Sequence, residues 1–134
     1  MTTSVEVTTS EITEPDVIGL TIPGSVRFVR LARIAVASLA RRKGMSVRTI
    51  DDLRLAVDES FALLLREEDR PGTVDVTFEV DDHELAVVIV QRFTDGPLGP
   101  NDEDLVRFEV VIEDLVDRFE ADTENGVVQF SKLI

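Results

Sequence analysis

Residues 51–65 read DDLRLAVDESFALLL. Leu53, Val57, Phe61 and Leu64 recur at helical spacing, which predicts a helix with one apolar face. Thr49-Ile50-Asp51-Asp52 resembles a capping box with Asp in place of Glu, so the helix is expected to begin near Thr49. It should fade at Arg66-Glu67-Glu68-Asp69, before the turn at Pro71-Gly72. Glu59 and Leu63 lie four residues apart, so they share one side of this helix.

Toward the N-terminus, VIGLTI (residues 17–22) is short, β-branched and apolar, and Pro23-Gly24 stops it; it reads as a strand. Ser25 is a candidate N-cap for a first helix, in which Val26, Val29, Leu31, Ile34, Val36, Leu39 and Ala40 recur with helical spacing. Arg41, Arg42 and Lys43 suit the negative end of that helix dipole, and Gly44 terminates it. Toward the C-terminus, TVDVTFEV alternates apolar and polar side chains, as a half-buried strand does. Asp81-Asp82-His83 then turns the chain into ELAVVIVQRF, and the two strands should pair as an antiparallel hairpin. Residues 94–104 form a Gly/Pro/Asp loop, after which Leu105, Phe108, Val111, Ile112 and Leu115 mark a third helix. A short strand is expected within residues 117–123, and Asn125-Gly126 turns into a last strand, VVQFSKLI. The order β-α-α-β-β-α-β-β predicts an α+β fold: a two-layer sandwich with helices on one face of a mixed, mainly antiparallel sheet. Residues 1–15, rich in Thr, Ser and Glu, read as a flexible segment ahead of a single domain over 16–134.

Composition narrows the chemistry. The absence of Cys excludes disulfides and thiolate metal sites. The only His is His83, expected on the surface of a hairpin turn, so a His-rich metal site or a serine-type triad has little to draw on, and no metal-ligating set is assigned. The opening residues lack the basic start and apolar stretch of a secretory signal. No uninterrupted apolar run approaches the ~18 residues of a membrane span, so the expectation is a cytoplasmic protein. A net charge of −13 argues against direct binding to phosphate backbones. Yet Arg27, Arg30, Arg33, Arg41, Arg42 and Lys43 lie close together, a basic patch on an acidic chain.

Three passages carry a family likeness: IPGSVRFVRLAR opening the first helix, DDLRLAVDES in the second, and FEVVIEDLVDRFEADTENGVVQFSKLI at the end. From Val17 to Ile134 the chain resembles the anti-sigma-factor serine kinases of the GHKL ATPase superfamily, especially their actinobacterial branch. The resemblance implies a Bergerat-like fold, ATP and Mg²⁺ as cofactors, and a Glu that polarises the attacking serine hydroxyl, here Glu59. It implies an Asn one turn later to hold Mg²⁺; that position is Leu63, and leucine offers no oxygen to a hard cation. It also implies an Asp-x-Gly-x-Gly box after a strand. Its Asp position falls on Gln91 or nearby, with Arg92 and Phe93 where the first Gly should be. A slip of four residues would use Asp95, Gly96 and Gly99 for nucleotide binding, although Asp-Gly-Pro is also an ordinary turn.

The same resemblance implies partners. An Arg on the first helix would grip an alternative sigma factor of the stress or sporulation type and a competing STAS-type anti-anti-sigma protein. Arg30 is the best match, with Arg27 and Arg33 beside it. A planar guanidinium suits such pairing because it binds carboxylates two-handed. A homodimer is implied as well. The resulting expectation is a sigma-factor antagonist with a degenerate ATP site, in which Glu59 is vestigial. Two other readings stand beside it: an active kinase phosphorylating a serine of the STAS-type protein with Mg-ATP, and a non-catalytic dimerisation module. For each charged residue the plain alternative is a solvated helix side chain.

Overall fold

Five strands form one sheet, and every pairing in it is antiparallel. The computed structural model describes residues 14–134 except 67, 98 and 100. The flexible segment expected over 1–15 lies outside the described residues as far as residue 13. The strands are β1 (Asp16–Pro23), β2 (Gly72–Val80), β3 (Glu84–Phe93), β4 (Arg118–Asp122) and β5 (Val127–Leu133), in the spatial order β1-β2-β3-β5-β4. A mixed sheet would contain a parallel pair; among the described residues there is none. The helices are α1 (Val29–Arg42), α2 (Val47–Leu65) and α3 (Asp102–Glu113).

Alternation along β2 and β3 puts Val74, Val76, Phe78 and Val80, with Leu85, Val87, Ile89 and Phe93, on one buried face. The helices cover that face, giving an α+β two-layer sandwich consistent with a GHKL-like fold. The opposite face carries Thr21, Asp75 and Arg92, joined by hydrogen bonds of 2.8 Å (Thr21 to Asp75) and 2.6 Å (Arg92 to Asp75) across β1, β2 and β3.

The first helix differs from its sequence reading in which residues it buries. Ser25 does cap, but it caps a 3-10 turn over Val26–Phe28 that leads into α1. The buried stripe is Val29, Ala32, Val36, Ala37 and Ala40, while Val26, Leu31 and Ile34 are exposed. Small alanines let α1 lie close on its neighbours; the larger Leu31 and Ile34 would not fit that approach and face outward. Gly44, at φ +72°, ends the helix as expected.

In α2 the expected face holds: Leu53, Val57, Phe61 and Leu64 are all buried. The cap does not fall at Thr49. Ser46 takes that place, its hydroxyl accepting a hydrogen bond from Thr49 N at 3.1 Å. Thr49 is already the third helical residue, so the helix starts a turn earlier than the Thr-x-x-Asp pattern suggested. At the other end Arg66 adopts a left-handed conformation, φ 53°, and its backbone N–H closes on Ala62 O.

Candidate functional site

The sequence Asp58-Glu59-Ser60 sends three successive side chains in three directions, because a helix rotates about 100° per residue. Asp58 faces α1 and accepts from Arg33, at 3.0 Å to the nearer carboxylate oxygen. Ser60 is buried and donates to Ala56 O at 2.7 Å. Glu59 turns away from both, toward α3. There it lines a cleft of about 240 Å³ together with Ala62, Leu63 and Arg66 of α2 and its C-cap, and with Asp104, Arg107 and Phe108 of α3. The first four stand at i, i+3, i+4 and i+7, one side of a helix, and the last three repeat that spacing on α3.

Leu63 is only 6% exposed, so it both lines the cleft and belongs to the core. Phe108 forms the opposite wall and is fixed from behind by an edge-on contact with Phe119 of β4, ring centroids 6.4 Å apart. Glu59 is half-buried and makes no hydrogen bond or ion pair with a described residue. The cleft holds two carboxylates, Glu59 and Asp104, and two guanidinium groups, Arg66 and Arg107, so its formal charge is zero. Arg66 reaches out of it to donate to Gly99 O at 2.6 Å, tying the loop after β3 to the end of α2. Among the described residues no three His, Asp or Glu side chains gather where they could share a metal ion.

The other expected nucleotide contacts lie apart from Glu59. Asp95 is exposed in the turn that follows β3, closed by Gly96 N donating to Phe93 O at 3.0 Å, and neither residue lines the cleft. Gly96 and Gly99 both have positive φ, as turn glycines do; Gly99 enters the site only through its carbonyl bond to Arg66. Gln91, at the position of the box's Asp, is buried on the helix-covered face with its Oε1 unpartnered. Its side chain fills the place a Cβ at Gly126 would occupy, so Gly126 is needed both there and for its φ of +67°. His83 is exposed in the β2–β3 turn, as expected.

The three expected partner-binding arginines divide into two kinds. Arg33 is committed to Asp58. Arg30 has no ion-pair partner among the described residues, and Arg27 rests over the Phe28 ring, 5.6 Å from its centroid. Residues that the sequence reading missed are Arg66, Asp104 and Arg107. The signal for Arg66 was available in its spacing of seven from Glu59; Asp104 and Arg107 needed the docking of α3, which no local pattern shows.

This architecture, three helices over an antiparallel sheet, is an α+β arrangement consistent with a GHKL-like domain. No protein-family model matches the chain. It is similar to the serine-protein kinase RsbW of Halalkalibacterium halodurans, 26% identical over 132 residues, covering 86% of this chain and 81% of that protein. It is similar also to the serine-protein kinase RsbW of Listeria innocua, 28% identical over 100 residues (71% of this chain, 62% of that one). A third, from Staphylococcus aureus, is 25% identical over 100 residues (66% and 63%). The chain thus spans somewhat under two thirds of the latter two relatives. These similarities bear out the resemblance to the anti-sigma-factor serine kinases.

Proposed function

We propose that this protein is an anti-sigma factor that works by binding. It holds an alternative sigma factor of the stress or sporulation type through α1 and its surroundings, and a STAS-type anti-anti-sigma protein releases it. On this reading it acts in the cytoplasm as a homodimer; no helix among the described residues is long and apolar enough to cross a membrane.

The observation that carries the reading is the Glu59–Leu63 cleft. A Mg-nucleotide needs oxygen ligands for the metal and net positive charge for the triphosphate. One turn beyond Glu59 stands a core leucine, and the four charged groups around it cancel. Gln91 in place of a carboxylate replaces the charged acceptor with a neutral amide, and its side chain packs on Gly126. The residues present do not fit Mg-ATP, so no phosphoryl-transfer step is assigned and Glu59 is taken as vestigial. Arg30 on α1, by contrast, has no ion-pair partner among the described residues.

An active serine kinase acting on the STAS-type protein is the second reading. It is favoured by Glu59 standing in the cleft with no described partner, and by the similarity to serine-protein kinases.

The test is calorimetry on the purified protein with candidate alternative sigma factors and, separately, with Mg-ATP. Micromolar or tighter binding of one sigma factor and no heat from Mg-ATP are expected. No complex with any sigma factor would sink the anti-sigma reading. Tight Mg-ATP binding with phosphate transfer to a STAS-type serine would replace it with the kinase.

A further inference from the structure

α1 and the 3-10 turn that leads into it show solvent a second face, opposite the alanine stripe: Arg27, Arg30, Leu31 and Ile34, spaced i, i+3, i+4 and i+7. α2 shows a matching face, Asp51, Arg54, Leu55 and Asp58, at the same spacing. Ile34 and Leu55 both line an open groove of about 600 Å³ between the two helices, with Arg30, Arg33, Arg54, Asp51 and Asp58 along it. Leu31, Ile34 and Leu55 are 46%, 54% and 50% exposed; of the other large apolar side chains of these two helices only Val47 is exposed.

The charges along this groove are unequally engaged. Arg33 and Asp58 satisfy each other at 3.0 Å, a partly exposed pair between α1 and α2 beside the groove. Arg54 meets Asp51 only at 3.6 Å, in an exposed pair of little strength. Arg30 has no described partner. The groove therefore offers an apolar floor flanked by two guanidinium groups ready to pair, on a chain whose net charge is −13. A solvated helix face on so acidic a protein would not be expected to gather arginines around exposed leucine and isoleucine.

We propose that the docking surface is this two-helix groove and not α1 alone, with Arg54 and Leu55 of α2 as specificity-determining residues. Its occupant is an amphipathic helix of the partner, apolar side chains on Ile34 and Leu55 and carboxylates on Arg30 and Arg54. A groove between two helices with apolar side chains along it suits a helix better than an extended peptide, which would need an unpaired strand edge to bond. Carboxylates on guanidinium forks supply orientation, and the apolar anchors supply most of the affinity.

This inference rests on the anti-sigma reading, so the experiment uses a purified sigma factor that binds the unmodified protein. Leu55→Asp and Ile34→Asp should each raise Kd by about tenfold or more, and Arg54→Ala and Arg30→Ala each by severalfold. Val110→Asp, an equally exposed apolar position on α3, should leave Kd unchanged. Leu55→Ser serves if the aspartate lowers the thermal midpoint. If Arg30→Ala weakens binding while the Leu55 and Arg54 variants bind like the unmodified protein, the groove is wrong and the anti-sigma reading survives. If the apolar variants fail but both arginine variants are silent, the acidic-helix chemistry is overturned. If no sigma factor binds at all, both readings fall together.

Discussion

Leu63 holds two positions at once, cleft wall and core, and that makes the site hard to revert. Leu63→Asn would place an amide oxygen where a metal ligand is wanted, but it also removes buried apolar surface. It should cost roughly 2–4 kcal/mol in urea unfolding and still give no Mg-ATP binding by calorimetry, because the cleft's charge stays balanced and Gln91 is unchanged. Nucleotide binding by this single variant would show that only the metal ligand had been lost. Gly126 is a second constrained residue. Gly126→Ala puts a methyl where the Gln91 side chain lies, at a φ that disfavours any Cβ. A loss of about 1–3 kcal/mol is expected, and unchanged stability would mean that Gln91 swings aside freely. Asp75 gives the clearest dependence on pH. Bonds from Arg92, then from Thr21, hold its carboxyl below the ordinary value of 3.8. A carboxyl lowered in the folded state stabilises above its unfolded pKa, and that stability is lost as pH falls through the folded value. The loss therefore lies below about pH 4, and Asp75→Asn should flatten the slope of unfolding free energy against pH there. An identical slope in the variant would assign the acid sensitivity to other groups. Asp81 and Asp122, lowered by hydrogen bonds within their turns, are the candidates.

Elements were legible in the sequence where one periodicity ruled. β2 declared itself by strict alternation, β3 by a bounded apolar run after the Asp81-Asp82-His83 turn, and the apolar face of α2 by four residues at helical spacing, all of which are buried. α1 was read as a helix correctly but with its buried residues partly misplaced, since counting large side chains favoured Leu31 and Ile34. The close packing instead adds Ala32 and Ala37 to the expected Val29, Val36 and Ala40, a signal of small size and not of hydrophobicity. The start of α2 was misread because two hydroxyl residues three apart, Ser46 and Thr49, both suit a cap; their side chains are hydrogen-bonded to each other at 3.0 Å. Removing the true cap tests this. Ser46→Ala should destabilise by about 1 kcal/mol, and Thr49→Ala by distinctly less, in thermal or urea unfolding. Equal losses would mean that the two hydroxyls act as one unit. The site was half legible for the same reason as α1. Glu59 and Leu63 share a helix and could be paired by counting, whereas Asp104 and Arg107 join them only when α3 docks through Phe108 and Ile112. Such a contact, some forty residues away along the chain, leaves no local trace.

At the scale of the whole molecule the formal charge of −13 works against compactness. The five ion pairs of the described residues do little to offset it: all have at least one partner more than a third exposed, and surface pairs of this kind contribute about 0–1 kcal/mol each. Added salt has opposite effects on these two contributions. It screens the weak local attractions slightly, and it screens the summed repulsion of the acidic excess strongly, because that repulsion acts over distances longer than the Debye length of about 8–10 Å near physiological ionic strength. The repulsion should win. Raising NaCl from about 10 to about 300 mM should therefore raise the thermal midpoint by several degrees, on the order of 1 kcal/mol for a domain of this size. The pH dependence separates this from a general salt effect. Near the sequence pI of about 4.4 the net charge vanishes, and the same salt step should then leave the midpoint unchanged or lower it slightly. A midpoint that falls with salt at pH 7 would mean that the local pairs, above all Arg33–Asp58 and Arg92–Asp75, outweigh the global charge. The Arg33–Asp58 pair beside the α1–α2 groove would then loosen with salt as well.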